Sequence, residues 1–346
     1  MTKIKNDNFL RACRREATDY TPIWLMRQAG RYMAEYRKLR EKADFLTMCK
    51  TPELAAEVTM QPINRFDLDA AIIFADILLP VEGMGINLEF KEKTGPIIHN
   101  PVRNRKDIDA LRIIDAERDV PYLSKAISLV KQELNNKIPL IGFSSAPFTL
   151  ASYMIEGGHS RNYLETKQMF YNEPEMWNDL MTKIVDVLII SLKAQVEAGV
   201  DVLQLFDSWV GCLSTGDYRE YVLPHSKRLI DSVKGEGLPI IHFGTDTATL
   251  LTSMKEAGGD VIGADWRINL DEAWKMIGDD VGIQGNIDPL ILFSNQKEIE
   301  KRVKDILNRA EGRPGHIFNL GHGILPKTPI DNVAFLIDTV HNLSRK

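Results

Sequence analysis

Short apolar runs alternating with amphipathic stretches organise this chain. Ala70–Phe74, Ile138–Phe143, Val200–Phe206, Pro239–Phe243, Val261–Ala264, Val281–Gln284 and His316–Leu320 are aliphatic or β-branched and end in polar or glycine positions. Between them, Glu175–Ala198, Asp217–Gly235 and Gln296–Ala310 repeat apolar residues every three to four positions, which predicts helices. Strands that are apolar throughout are buried on both faces, as in a parallel sheet covered by helices. Seven strands are clear, and the eighth is either Pro22–Met26 or Ile86–Phe90. Eight βα units in about 280 residues fit a (β/α)8 TIM-like barrel, for which about 250 is typical. A doubly wound open sheet is the alternative. No linker or internal repeat divides the chain, so one α/β domain over residues 1–346 is expected.

Barrel chemistry sits on the loops at the carboxyl ends of the strands. Those ends carry Asp76, then Ser144 and Ser145, Asp207 and Ser208, Gly244 and Asp246, Asp265 and Trp266, Gln284 with Asn286 and Asp288, and finally His322. The same residue types cap helices and make turns, so position alone assigns none of them.

Charge narrows the picture. The net charge is −5, which argues against a nucleic-acid partner. Residues 1–50 nevertheless hold twelve Lys and Arg against six Asp and Glu, and seven of the twelve are Arg. The guanidinium fork suits carboxylate or phosphate, so this opening points to an anionic small molecule. Three cysteines, Cys13, Cys49 and Cys212, form no C-x-x-C pair; with no apolar leader or membrane-length stretch, a cytoplasmic protein is expected.

Several motifs are absent. There is no phosphate loop or dinucleotide fingerprint, and Gly83-Met84-Gly85 stops short of one. The seven histidines show no i, i+4 pair. Gly142-Phe143-Ser144-Ser145-Ala146 lacks the last glycine of a hydrolase nucleophile elbow. With Pro147 next, Ser145 reads as a helix cap.

The richest stretch is Met26-Arg27-Gln28-Ala29-Gly30-Arg31-Tyr32, where two arginines flank a small-residue step that lets a ligand approach the backbone. Pairing with Glu35 or Asp44 on the surface is the competing use of these arginines. This stretch resembles the N-terminal signature of the uroporphyrinogen decarboxylase family. Gly142–Leu150 with Ser152–Gly157 is similar to its second signature. Phe74–Leu78, Phe206–Gly211, Gln284–Asp288 and Asn319–Gly323 match in the same order, so the resemblance runs from about Phe9 to the last helix.

The resemblance implies a barrel, usually a homodimer, that removes four acetate carboxyl groups from uroporphyrinogen without metal or organic cofactor. Asp76 matches the aspartate that accepts hydrogen bonds from pyrrole N–H groups. Arg27 and Arg31 match arginines that bind substrate carboxylates, with Gln28, Ala29 and Gly30 lining the same site within a substrate-binding segment of about residues 9–50. Arg27 is also a candidate to assist proton delivery. Tyr153 matches a tyrosine beside the aspartate, and Ser208 and His322 match positions that bond substrate carboxylates. Arg40 is assigned equally to a further carboxylate or a surface salt bridge, and His242 to a satisfied interior site. Met84, Phe143 and Trp209 are read as pocket wall or core. The departures from the family pattern are Ala34, where Pro is frequent, and the residue near Trp209. Zinc methyltransferases of the same superfamily need a His-x-Cys pair and a later Cys; here His242-Phe243-Gly244 stands, and no cysteine follows Cys212. A silent porphyrinogen carrier is the reading from another class.

Overall fold

The apolar runs become strands because each can bury both faces, and all seven do so in parallel. The computed structural model describes residues 4–91 and 94–346, so Lys3 of the basic opening lies outside it. The strands are β1 (Ala71–Ile72), β4 (Leu140–Ser145), β5 (Val202–Asp207), β6 (Ile240–Gly244), β7 (Val261–Gly263), β8 (Gly282–Gln284) and β9 (His316–Ile317). They pair in the order β1-β4-β5-β6-β7-β8-β9, with registers such as Ile141 to Val202 and Leu203 to Ile240. Between β1 and β4 lies a separate antiparallel hairpin, β2 (Leu88–Lys91) and β3 (Gly95–Ile98).

The two candidates for the eighth stave are now separated. The Phe318 N–H donates to the Pro22 carbonyl (2.8 Å), and the Asp69 N–H donates to that of Ile23 (2.9 Å). Pro22–Met26 therefore lies between β9 and β1 and closes the barrel. Ile86–Phe90 overlaps β2 instead and takes no part in the closure.

Alternation along each strand divides the core in two. Trp24, Met26, Ile141, Val202, Ile241, Phe243, Val261 and Ile317 pack inside the barrel, whereas Leu203, Leu205, Ile262 and Ile283 join the larger core against the helices. The helix Asn8–Cys13 inserts Phe9, Ala12 and Cys13 into the inner cluster. The Lys5 N–H meets the Asn136 carbonyl just before β4, so this helix plugs the amino-terminal end. Above the plug, Trp24 Nε1 donates to Gln284 Oε1 at 2.8 Å, a buried polar link between the closing stave and β8. The carboxyl-end mouth is left for chemistry.

Helices Pro174–Ala198 and Gln296–Ala310 follow the predicted bounds closely. Asp217–Gly235 does not run as one helix: it passes from the turn Thr215–Asp217 through a π turn at Tyr218–Val222 into Leu223–Lys234. Pro224 supplies the reason, since it has no N–H for the preceding turn and forces a change of register. No helix among the described residues is long and apolar enough to cross a membrane.

Candidate active site

Asp76 stands just past β1, where the Ile73 N–H still donates to Ile141 and the chain then turns away. Its Oδ1 accepts the Leu78 N–H at 2.9 Å, which fixes the carboxylate to its own turn. Burial pushes its pKa up from the ordinary 3.8 to about 6; the Leu78 N–H and the Arg27 charge oppose that rise. The half-buried carboxyl is thus largely an anion at neutral pH, within range of the Arg27 charge.

Arg27 is held by geometry that few side chains would accept. Its φ is +61°, a left-handed value that costs a non-glycine residue on the order of 1–3 kcal/mol and tends to mark functional positions. Gly323 makes room for it, because a Cβ there would meet the Arg27 methylenes (2.7 Å from Cγ). The two segments are tied by the Ile324 N–H donating to the Met26 carbonyl and the Met26 N–H donating to Asn319 Oδ1. The surface pairing weighed for the arginines does not occur. Glu35 binds Arg65 (2.7 Å) and Asp44 accepts the Thr47 N–H, while Arg27 and Arg31 have no ion-pair partner among the described residues. Arg40 donates to the Ala43 carbonyl on its own helix end.

Gln28 is buried, and its amide is occupied: Oε1 accepts the Leu25 N–H and Nε2 donates to the Ala70 carbonyl. It builds the arginine loop from below, while Ala29 and Gly30 keep partial exposure on top.

Tyr153 lies on the helix Pro147–Glu156, whose first turn begins at Pro147. Burial and the nearby Asp76 charge both hold its phenol protonated, and Arg27 acts in the other direction. Its ring stacks on Trp209 with centroids 3.7 Å apart, and Trp209 also meets Tyr163 at 5.3 Å. Ser145 is not the cap of this helix. The N-cap is Ala146, and Ser145 Oγ donates to the Ala146 carbonyl, because the buried strand end turns the hydroxyl inward.

His322 is neutral: burial first, then the charges of Arg27 and Arg267, pull its pKa from 6.5 to about 4. Its Nδ1 accepts the Gly323 N–H at 2.6 Å, so the proton sits on Nε2, which is left as a donor. Ser208, at the end of β5, is half-buried beside Trp209. Arg27 is thus within electrostatic range of Asp76, Tyr153 and His322, and Asp76 of Tyr153, whereas Arg31 acts on Tyr36.

His242 is fully buried, as expected, but neither ring nitrogen has a partner, and Nε2 is 3.9 Å from Asp207 Oδ2. The rim also holds Arg267, bound to Asp265 (2.6 Å) and Asp246 (2.7 Å) and lying 4.1 Å over Trp266. Asp246, Asp265 and Trp266 stood out as strand-end residues, whereas Arg267 did not. Its partner Asp246 is 21 residues away in the chain, and no local pattern reports that pairing. Among the described residues, no three His, Cys, Asp or Glu side chains gather so as to hold a metal ion.

Comparison with known proteins decides the family. The model described as uroporphyrinogen decarboxylase (URO-D) matches residues 4–343. The chain belongs to the uroporphyrinogen decarboxylase family. It is 56% identical over 339 residues to the uroporphyrinogen decarboxylase of Carboxydothermus hydrogenoformans, covering 98% of this chain and 97% of that one. To that of Sorangium cellulosum it is 55% identical over 340 residues, covering 98% and 97%. In structure, a methyltransferase from Methanosarcina mazei superposes with a TM-score of 0.83 over 99% of both chains, at 19% identity, which shows a shared fold. The family of this enzyme is that of carboxy-lyases, and its barrel is the one expected from the strand pattern.

Proposed function

We propose that this chain removes the carboxyl groups of the four acetate arms of uroporphyrinogen III, leaving methyl groups, coproporphyrinogen III and four CO2, with no metal or organic cofactor. The observation that carries the proposal is the half-buried Asp76 carboxylate within electrostatic range of Arg27 and Tyr153 in a chain of this family. A pyrrole can accept a proton on ring carbon and become a cation. The carbon–carbon bond to the carboxylate then breaks, its electron pair flows into the ring, and CO2 leaves. A proton added to the exposed carbon and one lost from the ring give the methyl pyrrole, so each cycle consumes one proton. Asp76, accepting the pyrrole N–H groups, faces the cation with an anion already in place, and removing one such contact typically costs about 2.7–4 kcal/mol of barrier.

In this reading Arg27 and Arg31 take substrate carboxylates over the close backbone of Ala29 and Gly30, supported by Gln28. Ser208 and the Nε2–H of His322 donate to further carboxylates, and Tyr153 orients Asp76 or an acetate. Arg27 remains a candidate to steer a proton through water, since guanidinium itself is too weak an acid to supply one. Residues 1–346 act as one unit, with about 9–50 supplying the substrate-binding arginines. A homodimer follows from the family resemblance, and analytical ultracentrifugation tests it. The free thiols of Cys13, Cys49 and Cys212 support a cytoplasmic setting, and the net charge opposes nucleic acid as a partner.

The test is anaerobic incubation with chemically reduced uroporphyrinogen III and excess chelator, followed by chromatography of the oxidised porphyrins. Stepwise loss of carboxylates down to the four-carboxylate product is expected. Binding without turnover would make the chain a carrier, and a metal requirement would overturn the cofactor-free mechanism.

A further inference from the structure

The corner that leaves β5 is pinned at a single peptide unit. The Ser208 carbonyl accepts a hydrogen bond from Thr245 Oγ1 at 2.5 Å, and the N–H of the same peptide, on Trp209, donates to Thr149 Oγ1 at 3.1 Å. The two threonines come from the elements on either side, Thr149 from the helix after β4 and Thr245 from the end of β6. Both are buried.

The Thr149 hydroxyl is itself oriented. It donates to Asp207 Oδ1 at 2.9 Å, and Asp207 is fully buried on β5. Because the carboxylate only accepts, the hydroxyl proton must point to Asp207 and its lone pairs toward the Trp209 N–H. A buried N–H or C=O without a partner is costly, so the clamp has a defined geometry. Gly211 brings the next turn against it, where a Cβ would collide with the Thr245 carbonyl. The unit they hold carries Ser208 on one side and the Trp209 ring, stacked on Tyr153, on the other.

We propose that Thr149 and Thr245 are positioning residues of the decarboxylase, clamping the Ser208–Trp209 peptide so that Ser208 and the Trp209–Tyr153 stack hold the substrate against Asp76. Asp207 serves the clamp by setting the Thr149 hydroxyl. The inference rests on the proposed site. Displacements of about an ångström at such a shell lower rates by up to about a hundredfold.

The experiment compares Thr149→Val and Thr245→Val, which keep shape and remove the hydroxyl, with Thr149→Ser and Thr245→Ser, which keep it. Turnover of uroporphyrinogen III is measured well below each variant's melting temperature. The valine variants are expected to lose about tenfold in kcat with KM changed less than about threefold, and the serine variants to recover most of that loss. A residue serving only stability would lower the melting temperature and leave kcat alone. Valine variants with wild-type kcat, or serine variants as impaired as valine, would overturn the clamp. If neither valine variant folds, Asp207→Asn decides: it keeps an oxygen for Thr149 but weakens it as an acceptor, so a smaller fall in kcat supports the clamp and an unchanged kcat refutes it. Asp76→Asn assayed beside them separates the levels. Wild-type turnover in Asp76→Asn overturns the site itself, whereas an inactive Asp76→Asn beside fully active valine variants overturns the clamp alone.

Discussion

The burial that raises the Asp76 pKa to about 6 has opposite consequences for activity and for stability. Activity requires the anion, so kcat/KM is expected to fall as pH drops through about 6. The residual activity of Asp76→Asn, itself about a hundredfold lower or more by the loss of one preorganised contact, should lack that limb. His322, at about 4, is neutral throughout the range and does not contribute a second limb. For stability, the folded state binds the Asp76 proton more tightly than the unfolded state, whose value is the ordinary 3.8. That contribution is fully present below about pH 4 and is lost as pH rises through 6. A shift of this size corresponds to at most about 3 kcal/mol, so Asp76→Asn should be more stable than the parent at pH 7 and equal to it near pH 4. Urea unfolding at the two pH values checks this, and an equal difference at both would remove burial of the anion as the cause. Arg27 and Arg40 separate at the same scale. Arg27→Ala is expected to raise KM and slow turnover at least about tenfold, while Arg40→Ala, whose side chain is engaged on its own helix end, changes either by less than about threefold. Equal losses in steady-state kinetics would show that the mouth extends to Arg40.

Between elements, one buried carboxylate gathers the chain ends. Asp69 accepts from Tyr20 OH, Asn6 Nδ2, the Ile23 N–H and His341 Nε2, each at 2.8 Å. It therefore joins the N-terminal segment, the closing stave and the C-terminal helix Ile330–Ser344. Asp69→Ala strands these donors and should cost about 3–5 kcal/mol in urea unfolding; a loss under about 1 kcal/mol would mean the closure holds without it. The same junction shows what the sequence could and could not convey. The seven strands were readable because continuous apolar runs have one use in an α/β protein. Pro22–Met26 was ambiguous because its partners, Phe318 and Asp69, are remote and it makes only isolated bridges. Asp76, Arg27, Tyr153 and His322 were legible through the family signatures, yet the reason for the glycines around His322 was not. Gly321 and Gly323 admit Trp266 and Arg27 to close packing. The Ser145 cap and the unbroken helix after Asp217 failed for a related reason, since local preference yielded to a buried strand end and to Pro224.

Across the whole molecule, the charge is divided against its sum. Residues 1–50 carry a surplus of six positive charges, from twelve basic and six acidic residues, on a chain of net charge −5, which leaves −11 elsewhere. That surplus is not gathered at one place: Arg11, Arg14 and Arg15 lie on or beside the helix that plugs the amino-terminal end, whereas Arg27 lies near Asp76 at the carboxyl end. At about 0.1 M salt screening limits an exposed charge's reach to about 10 Å, so a substrate bound at the proposed site would feel chiefly the charges nearest the mouth. Among the described residues neither Arg27 nor Arg31 has an ion-pair partner, although the Arg27 charge already acts on Asp76. Raising ionic strength should therefore lower kcat/KM while leaving kcat nearly constant, since screening weakens long-range capture more than contacts already made in the complex. The dependence should be shallower in Arg31→Ala than in the parent. A kcat/KM that rises with salt would mean that repulsion by the acidic remainder governs the encounter, and that the arginines act only after the substrate has arrived.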